Sequence, residues 1–472
     1  MPKTVQNLID RMAHPLQSFG LVGLITGAGL AWLLSVILLD QFALFVPMAL
    51  AASAFGIWFL AQAATGQPWA LALMTSFVLI VPNISFIERD LSESTNLDAQ
   101  KGLKLALWLA MGIVAAARWP SYKQLLGDRL VSAFLLFSLL ASLSTLWSPT
   151  PAYTAAGGLS LVASLLFCSA IAAELSDGMF FKTIVGSMVL YMALNLAAAL
   201  FVPGVSWALS IGDEDTYRLS GVASHPNVLA KEIASFICLG VPLALMRNNR
   251  RLAIGLGALG FAIIVMTGSR TSLIAITAAF AIPAVLQTRA ALGPLVWAGT
   301  ILVGSVLVLM STGLLSLPAN MLGSMSRGGD GSEILTMTGR TELWGFVWEK
   351  ILQAPLLGHG FNTAQTVLSL EWWGQPDAAV GAHNMWLQSL LTLGIVGTIP
   401  FAYSHFTIAT RGLSNSRILS RHIGIYIFIL GLAEVGIAAH PSILTYAAFL
   451  AIGRDAMARR SSPNPPIITQ DH

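Results

Sequence analysis

Charge is what this chain has least of. Only 10% of its 472 residues are Asp, Glu, Lys or Arg, against about 25% in soluble domains. Cysteine is nearly missing too, with only Cys168 and Cys238 present. Both fall inside apolar runs, where they read as small core or lipid-facing residues rather than a disulfide or a metal site. The net charge of +3 is too small to argue for nucleic acid as a partner. No low-complexity tract or fixed-period repeat is read, and no soluble domain is expected at either end. No small-residue cleavage site follows Lys3, Arg11 and the first apolar run, so that run is expected to stay as an uncleaved span.

What the sequence has in quantity is long apolar runs. Hydrophobic residues make up 56% of the chain, and runs of roughly 20 residues recur along it, the length that crosses a bilayer as a helix. The short alternating segments of a membrane barrel are missing. The fold class expected is therefore an all-α polytopic membrane protein. Fourteen apolar segments can be read, at about 19–39, 42–64, 69–83, 102–117, 130–147, 156–174, 182–202, 228–246, 252–268, 271–288, 291–312, 384–410, 422–439 and 442–453. The third, fourth and last are short, so 12–14 transmembrane helices are expected, one or two of them re-entrant. The expected organisation is one transmembrane domain over 1–453, with a large extramembrane loop at 313–382 and a polar cytoplasmic tail at 454–472.

Lysine and arginine in the short loops set the orientation. With a cytoplasmic N-terminus, sixteen of the 25 fall inside, among them Arg118, Arg129, Arg411, Arg454 and Arg459. The other nine fall outside: Arg89, Lys101, Lys104, Arg218, Lys231, Arg270, Arg327, Arg340 and Lys350. Both termini are then cytoplasmic, and the loop 313–382 is on the far side. Basic residues on the far side oppose the general bias, so each is either held by a local partner or used.

Within the large loop, GSMSRGGDGSE at 323–333 reads as flexible. TGRTELWGFVWEKILQA at 338–354 repeats Leu343, Phe346, Val347, Ile351 and Leu352 at helical spacing, beside Trp344 and Trp348. It predicts an amphipathic helix at the membrane surface. Arg340 opens that helix, with Thr338 or Thr341 as cap. An arginine at a helix N-terminus suits an anion, though it also suits lipid phosphates by snorkelling.

Arg270 sits in the tight turn MTGSRTSL and Arg218 in DEDTYRLSGVASHPNVLAKE. Acidic loops, and Asp213, Glu214 and Asp215 for Arg218, are the bland partners. Asn227 is placed near the N-cap of the span that follows. His383-Asn384 opens another span, and a histidine there suits either proton transfer or a hydrogen bond to a loop carbonyl. Gly394 and Gly397 further along suit close helix approach. The span interiors read as nearly free of charge except Glu434, which is placed in the outer half of 422–439 and would need a partner, an arginine or His383. No carboxylate pattern suits a divalent metal, so neither metal nor cofactor is expected. Arginine forks would supply the positive charge.

Taken in order, RLSGVASHPNVLA, TGSRTSL, GRTELW, PLLGHGF and HNMWLQSLLTLGIVG resemble segments of the O-antigen ligase and O-antigen polymerase superfamily, the last through its H-N-x9-G-x-x-G signature. LWSPTPAYT at 146–154 resembles the exopolysaccharide-production polymerase branch. The likeness covers roughly residues 130–450. It implies a GT-C-like, metal-independent, inverting glycosyltransferase of the bacterial inner membrane, with a periplasmic site and an undecaprenyl-diphosphate-linked glycan as donor. By that resemblance Arg218, Arg270 and Arg340 would bind the diphosphate and His383 would activate or orient the acceptor hydroxyl. Asn384 and Asn227 are placed in support, as is Glu434, which follows from the cost of an unpartnered carboxylate more than from the motif. Implied partners are membrane lipids, an acceptor glycan or lipid A-core, and chain-length or export proteins. Three functions stay open: a polymerase of repeat units, a ligase to lipid A-core or protein, and a transporter without chemistry.

Overall fold

The computed structural model describes residues 45–85, 98–210, 213–288, 340–369, 371, 381–414 and 419–461. The principal helices are α1 Phe45–Ala64, α2 Pro68–Ile80, α3 Ala99–Ala117, α4 Arg129–Leu143, α5 Pro151–Glu174 and α6 Asp177–Phe201. An antiparallel hairpin of β1 Trp207–Ser210 and β2 Asp213–Leu219 follows. Then come α7 Pro226–Met246, α8 Arg250–Thr267, α9 Arg270–Thr288, α10 Arg340–Gln353, α11 Ala364–Ser369, α12 Met385–Ser414, α13 Ser420–Leu430 and α14 Ile443–Ser461. The protein is an all-α polytopic membrane protein. Among the described residues seven helices are long and apolar enough to span a bilayer, or eight if the pair Ala52–Ala64 and Pro68–Asn83, bent by 114°, is one broken span. The expected segments 19–39 and 291–312 lie outside the described residues.

Helix starts follow their local chemistry. Asp98, Asp128, Ser176 and Asn249 accept backbone N–H bonds at the starts of α3, α4, α6 and α8, meeting donors that a helix start cannot satisfy internally. Pro68, Pro151 and Pro226 stand at the first turns of α2, α5 and α7, where a missing N–H costs nothing. Pro283 inside α9 removes the donor that would meet the Ala279 carbonyl. The His422 ring Nδ1 takes that carbonyl at 2.9 Å instead.

Two ends of the bundle can be told apart by charge. At one, Arg118 grips Glu174 (2.9 Å), Arg459 and Arg411 meet Asp128 (2.8 and 3.5 Å), and Arg454 meets Asp177 (3.4 Å). Asp455 accepts from the N–H groups of Leu419 and Ser420 (2.7 and 2.9 Å), closing the start of α13. All these basic residues belong to the sixteen that the charge bias grouped together. At the opposite end lie the β-hairpin, the α8–α9 turn and the start of α12. One contiguous apolar core runs through the helices. A second, small core of Leu343, Val347, Ile351, Ala364, Leu368, Ala382 and Leu391 seats α10 on the bundle. The amphipathic helix expected at 338–354 is thus α10.

Two expectations need correction. The segment 422–439 is not helical throughout: α13 ends at Leu430, so Glu434 lies in an irregular stretch and not inside a span. Gly431 packs against Met385, Gly436 adopts a positive φ of 60°, and Pro441 follows, so the apolar pattern continues where the helix cannot. The acidic loop before Arg218, read without secondary structure, forms β2.

Candidate active site

The end of the bundle opposite the ion pairs holds the residues that the sequence singled out. Arg218 lies on β2 opposite Ala208 and is only 7% exposed. Its Nε donates to the Thr267 carbonyl at 2.8 Å and its Nη2 to Asn227 Oδ1 at 2.7 Å. A planar fork with fixed donors is suited to such a double grip. Thr267 is the last residue of α8. Gly268, at φ 62°, closes that helix in the left-handed region, which glycine enters without steric cost. Its Cα packs so close to Arg218 that a Cβ would stand 3.3 Å from Nε. Arg270 then opens α9 and is exposed. Arg218, Asn227 and the turn bearing Arg270 therefore form one unit.

Asn227 does not cap α7. His225 does, its Nδ1 accepting from the Asn227 N–H at 3.1 Å. The backbone places Pro226 at the first helical position, so the cap falls one residue before it and leaves the Asn227 side chain for Arg218.

The second unit surrounds His383. Asn384 Oδ1 accepts from the N–H groups of Trp386 and Leu387 (2.9 and 3.1 Å), capping α12. Its Nδ2 donates to the Leu432 carbonyl at 3.0 Å, and the Met385 N–H donates to the Gly431 carbonyl at 2.8 Å. His383 is thereby fastened to the stretch that carries Glu434. Trp344 of α10 donates to the Ala382 carbonyl at 2.9 Å, which brings the helix opened by Arg340 against the same place. The Arg340 side chain lies outside the described residues. The two units meet along α9 and α13, which pack together, with the start of α9 beside the end of α13.

The paired glycines have a different purpose from helix approach. α12 breaks at Gly394, which adopts φ 59° and ψ −163°, a region open essentially to glycine alone. Into the break fits the loop PLLGHG. The N–H groups of His359 and Gly360 donate to the Leu391 and Thr392 carbonyls (3.0 and 2.8 Å), and those of Ile395 and Val396 donate to the Pro355 and Leu356 carbonyls (2.9 and 3.1 Å). Gly397 faces Leu393 of its own helix rather than a neighbouring one. The segment LWSPTPAYT buttresses the same loop: Trp147 donates to the Leu357 carbonyl (3.2 Å) and Thr154 to the Phe361 carbonyl (2.8 Å). Three of the sequence motifs thus meet in one splice beneath His383.

Some residues escaped the sequence reading. Glu232, 1% exposed, lies inside α7 and accepts a hydrogen bond from Tyr191 of α6, so Glu434 is not the carboxylate of the span interiors. Its signal, a Lys-Glu pair just inside an apolar run, was visible. Gln388, 4% exposed, accepts from the Ala382 N–H at 2.9 Å. Lys350, 4% exposed, pairs with Glu371 (2.6 Å). Among the described residues no group of three or more His, Cys, Asp or Glu is placed to hold a metal ion.

Residues 255–402 match the family described as O-antigen ligase. That stretch runs from α8 into the second half of α12 and includes Arg270, Arg340, His383 and Asn384; Arg218, Asn227 and Glu434 lie outside it. Over 289 residues the chain is 28% identical to a protein of Pseudomonas aeruginosa named O-antigen ligase, covering 59% of this chain and 63% of that protein. The chain therefore spans less than two thirds of the curated relative it matches.

Proposed function

From the O-antigen ligase and polymerase superfamily that both matches support, we propose that this chain is a multi-pass bacterial inner-membrane glycosyltransferase. It transfers a glycan from an undecaprenyl-diphosphate donor to an acceptor hydroxyl on the periplasmic side. The observation that carries the reading is the gathering of Arg218, the Arg270 turn, the start of the Arg340 helix and His383 at one end of the bundle, where apolar helices stop. A lipid-linked diphosphate lies at that depth, and fixed cations there stabilise the charge that builds as it leaves.

In this mechanism the acceptor oxygen attacks the anomeric carbon from the face opposite the diphosphate, with inversion. His383 takes the acceptor proton, the bond from carbon to diphosphate oxygen breaks, and Arg218, Arg270 and Arg340 hold the departing anion. Asn384 fixes the backbone on which His383 sits. Glu434 orients this edge. The positive charge comes from guanidinium groups, so turnover is expected to survive EDTA.

The likeness to the O-antigen ligase family and to the Pseudomonas aeruginosa O-antigen ligase favours a ligase at least as strongly as the likeness of 146–154 favours a polymerase. Presenting purified protein with the lipid-linked repeat unit, with and without lipid A-core, separates the two. Ladders from the repeat unit alone mark a polymerase, and product only with added lipid A-core marks a ligase. Failure of Arg270→Ala and Arg218→Ala to weaken binding of undecaprenyl diphosphate would sink the assignment of the arginines.

A further inference from the structure

His383 is held in an unusual backbone conformation by its neighbours. Its φ is +46°, in the left-handed region that disfavours a residue with a side chain. Such strain persists where the surroundings impose it. Here they do so from both sides. Behind His383, the fully buried Ala382 has its peptide groups gripped twice: the Trp344 indole N–H donates to its carbonyl, and its own N–H donates to the Gln388 carboxamide oxygen, each at 2.9 Å. Ahead of it, Asn384 and Met385 are bonded to Leu432 and Gly431.

We infer that Trp344 is a positioning residue which, with Gln388, sets the place of the His383 imidazole and locks the helix opened by Arg340 to it. The inference rests on the reading of His383 as the proton acceptor. Trp344 is not needed to seat α10 by burial, because Leu343, Val347 and Ile351 fill the small core while the indole stays half-buried. What it adds is one directed N–H. Gln388 likewise stands in an apolar run where leucine would pack, and its oxygen is spent on the Ala382 N–H. The two bonds hold the peptide groups on both sides of the Ala382 Cα, the second of which carries the His383 N–H, and with the bonds of Asn384 and Met385 ahead they fix the His383 φ. The same contact makes the anion-facing start of α10 and the histidine one rigid piece.

The test uses the full chain purified into lipid nanodiscs. Trp344→Phe keeps a ring and removes the N–H. It is expected to lower kcat about tenfold or more, since small misplacements of a reacting group cost that much, while binding of undecaprenyl diphosphate changes less than about twofold. Gln388→Leu is expected to behave in the same way, and Gln388→Glu, which keeps an acceptor oxygen, to hold kcat within about threefold of wild type. The inference is overturned if Trp344→Phe and Gln388→Leu both keep wild-type kcat, or if kcat and diphosphate binding fall together. Should Trp344→Phe not purify as a single species, the two Gln388 variants decide alone. His383→Ala separates this inference from the reading beneath it. Full turnover by His383→Ala would remove the reading itself. A dead His383→Ala beside an unaffected Trp344→Phe would remove only the positioning role.

Discussion

Gly394→Ala is expected to unseat the half of α12 that presents His383. Two costs can be worked from the structure. Alanine at φ 59° and ψ −163° enters a region that costs of order 1–3 kcal/mol. The new Cβ would also stand 2.6 Å from the Leu357 nitrogen and nearer still to the Leu356 carbonyl. Those atoms are backbone in a loop tied to α12 by four hydrogen bonds, so they cannot swing away as a side chain would, and overpacking of this kind costs about 1–3 kcal/mol. The combined loss of about 2–6 kcal/mol is a large share of the roughly 5–15 kcal/mol that holds a folded domain. The assay is the fraction of purified protein left in the monodisperse gel-filtration peak after heating across a temperature series. Gly345→Ala is the control. It is exposed in mid-helix on α10 with open space around its Cβ, and there alanine is expected to be neutral or to stabilise by up to about 1 kcal/mol. A Gly394→Ala protein that melts with wild type would refute the splice as the reason for this glycine.

Four further outcomes are expected. Arg218→Lys keeps the charge but loses the fork that reaches both Thr267 and Asn227; thermal stability should fall by about 1–3 kcal/mol, along with diphosphate affinity. Asn384→Ala removes the cap of α12, costing about 1 kcal/mol in the same melting assay, and lowers turnover further than that loss of fold would. Tyr191→Phe leaves the buried Glu232 carboxyl without its hydroxyl donor, a cost of about 1–3 kcal/mol that a melting curve would register. At the opposite end, burial pushes the Asp128 carboxyl up, but the hydrogen bond and charge of Arg459 and the charge of Arg411 outweigh it and hold the group below its ordinary 3.8. The stability it contributes is therefore whole above that ordinary value and drains as pH falls toward the folded value. Asp128→Ala should melt lower than wild type at pH 7, by about 1–2 kcal/mol from the lost cap alone, and the gap should narrow below pH 4; a gap that widens on acidification would contradict the ion pairs.

The apolar runs gave away the helices because hydropathy reports burial in lipid directly. The same property misled at Glu434, where LGLAEVGIAA stays apolar but Gly431 and Gly436 turn the chain against Met385. Hydropathy says what a segment dislikes, not whether it is helical. The β-hairpin was hidden because DEDTYRL is polar and shows no buried face. Arg218 and Arg270 were picked out by opposing the charge bias, yet that Arg218 grips the very turn bearing Arg270 depends on a contact 49 positions away. Gly394 was noticed for its spacing, and the spacing of small residues in a helix suggests helix packing. Its purpose needs the loop 355–360 as a partner, and nothing local announces it. Trp344 and Ala382 are 38 positions apart; the periodicity of α10 marked the indole only as part of an apolar face.

The most direct test of the central claim is transfer of glycan from the undecaprenyl-diphosphate repeat unit by purified protein, comparing wild type with Arg270→Ala and His383→Ala, each with and without EDTA and with lipid A-core as an added acceptor. The expected result is product from wild type that survives EDTA, and at least a hundredfold less from both variants at equal folded protein, a drop of the size that general-base and charge-stabilising groups supply. Equal product from His383→Ala, or no product from wild type with either acceptor, would contradict the account.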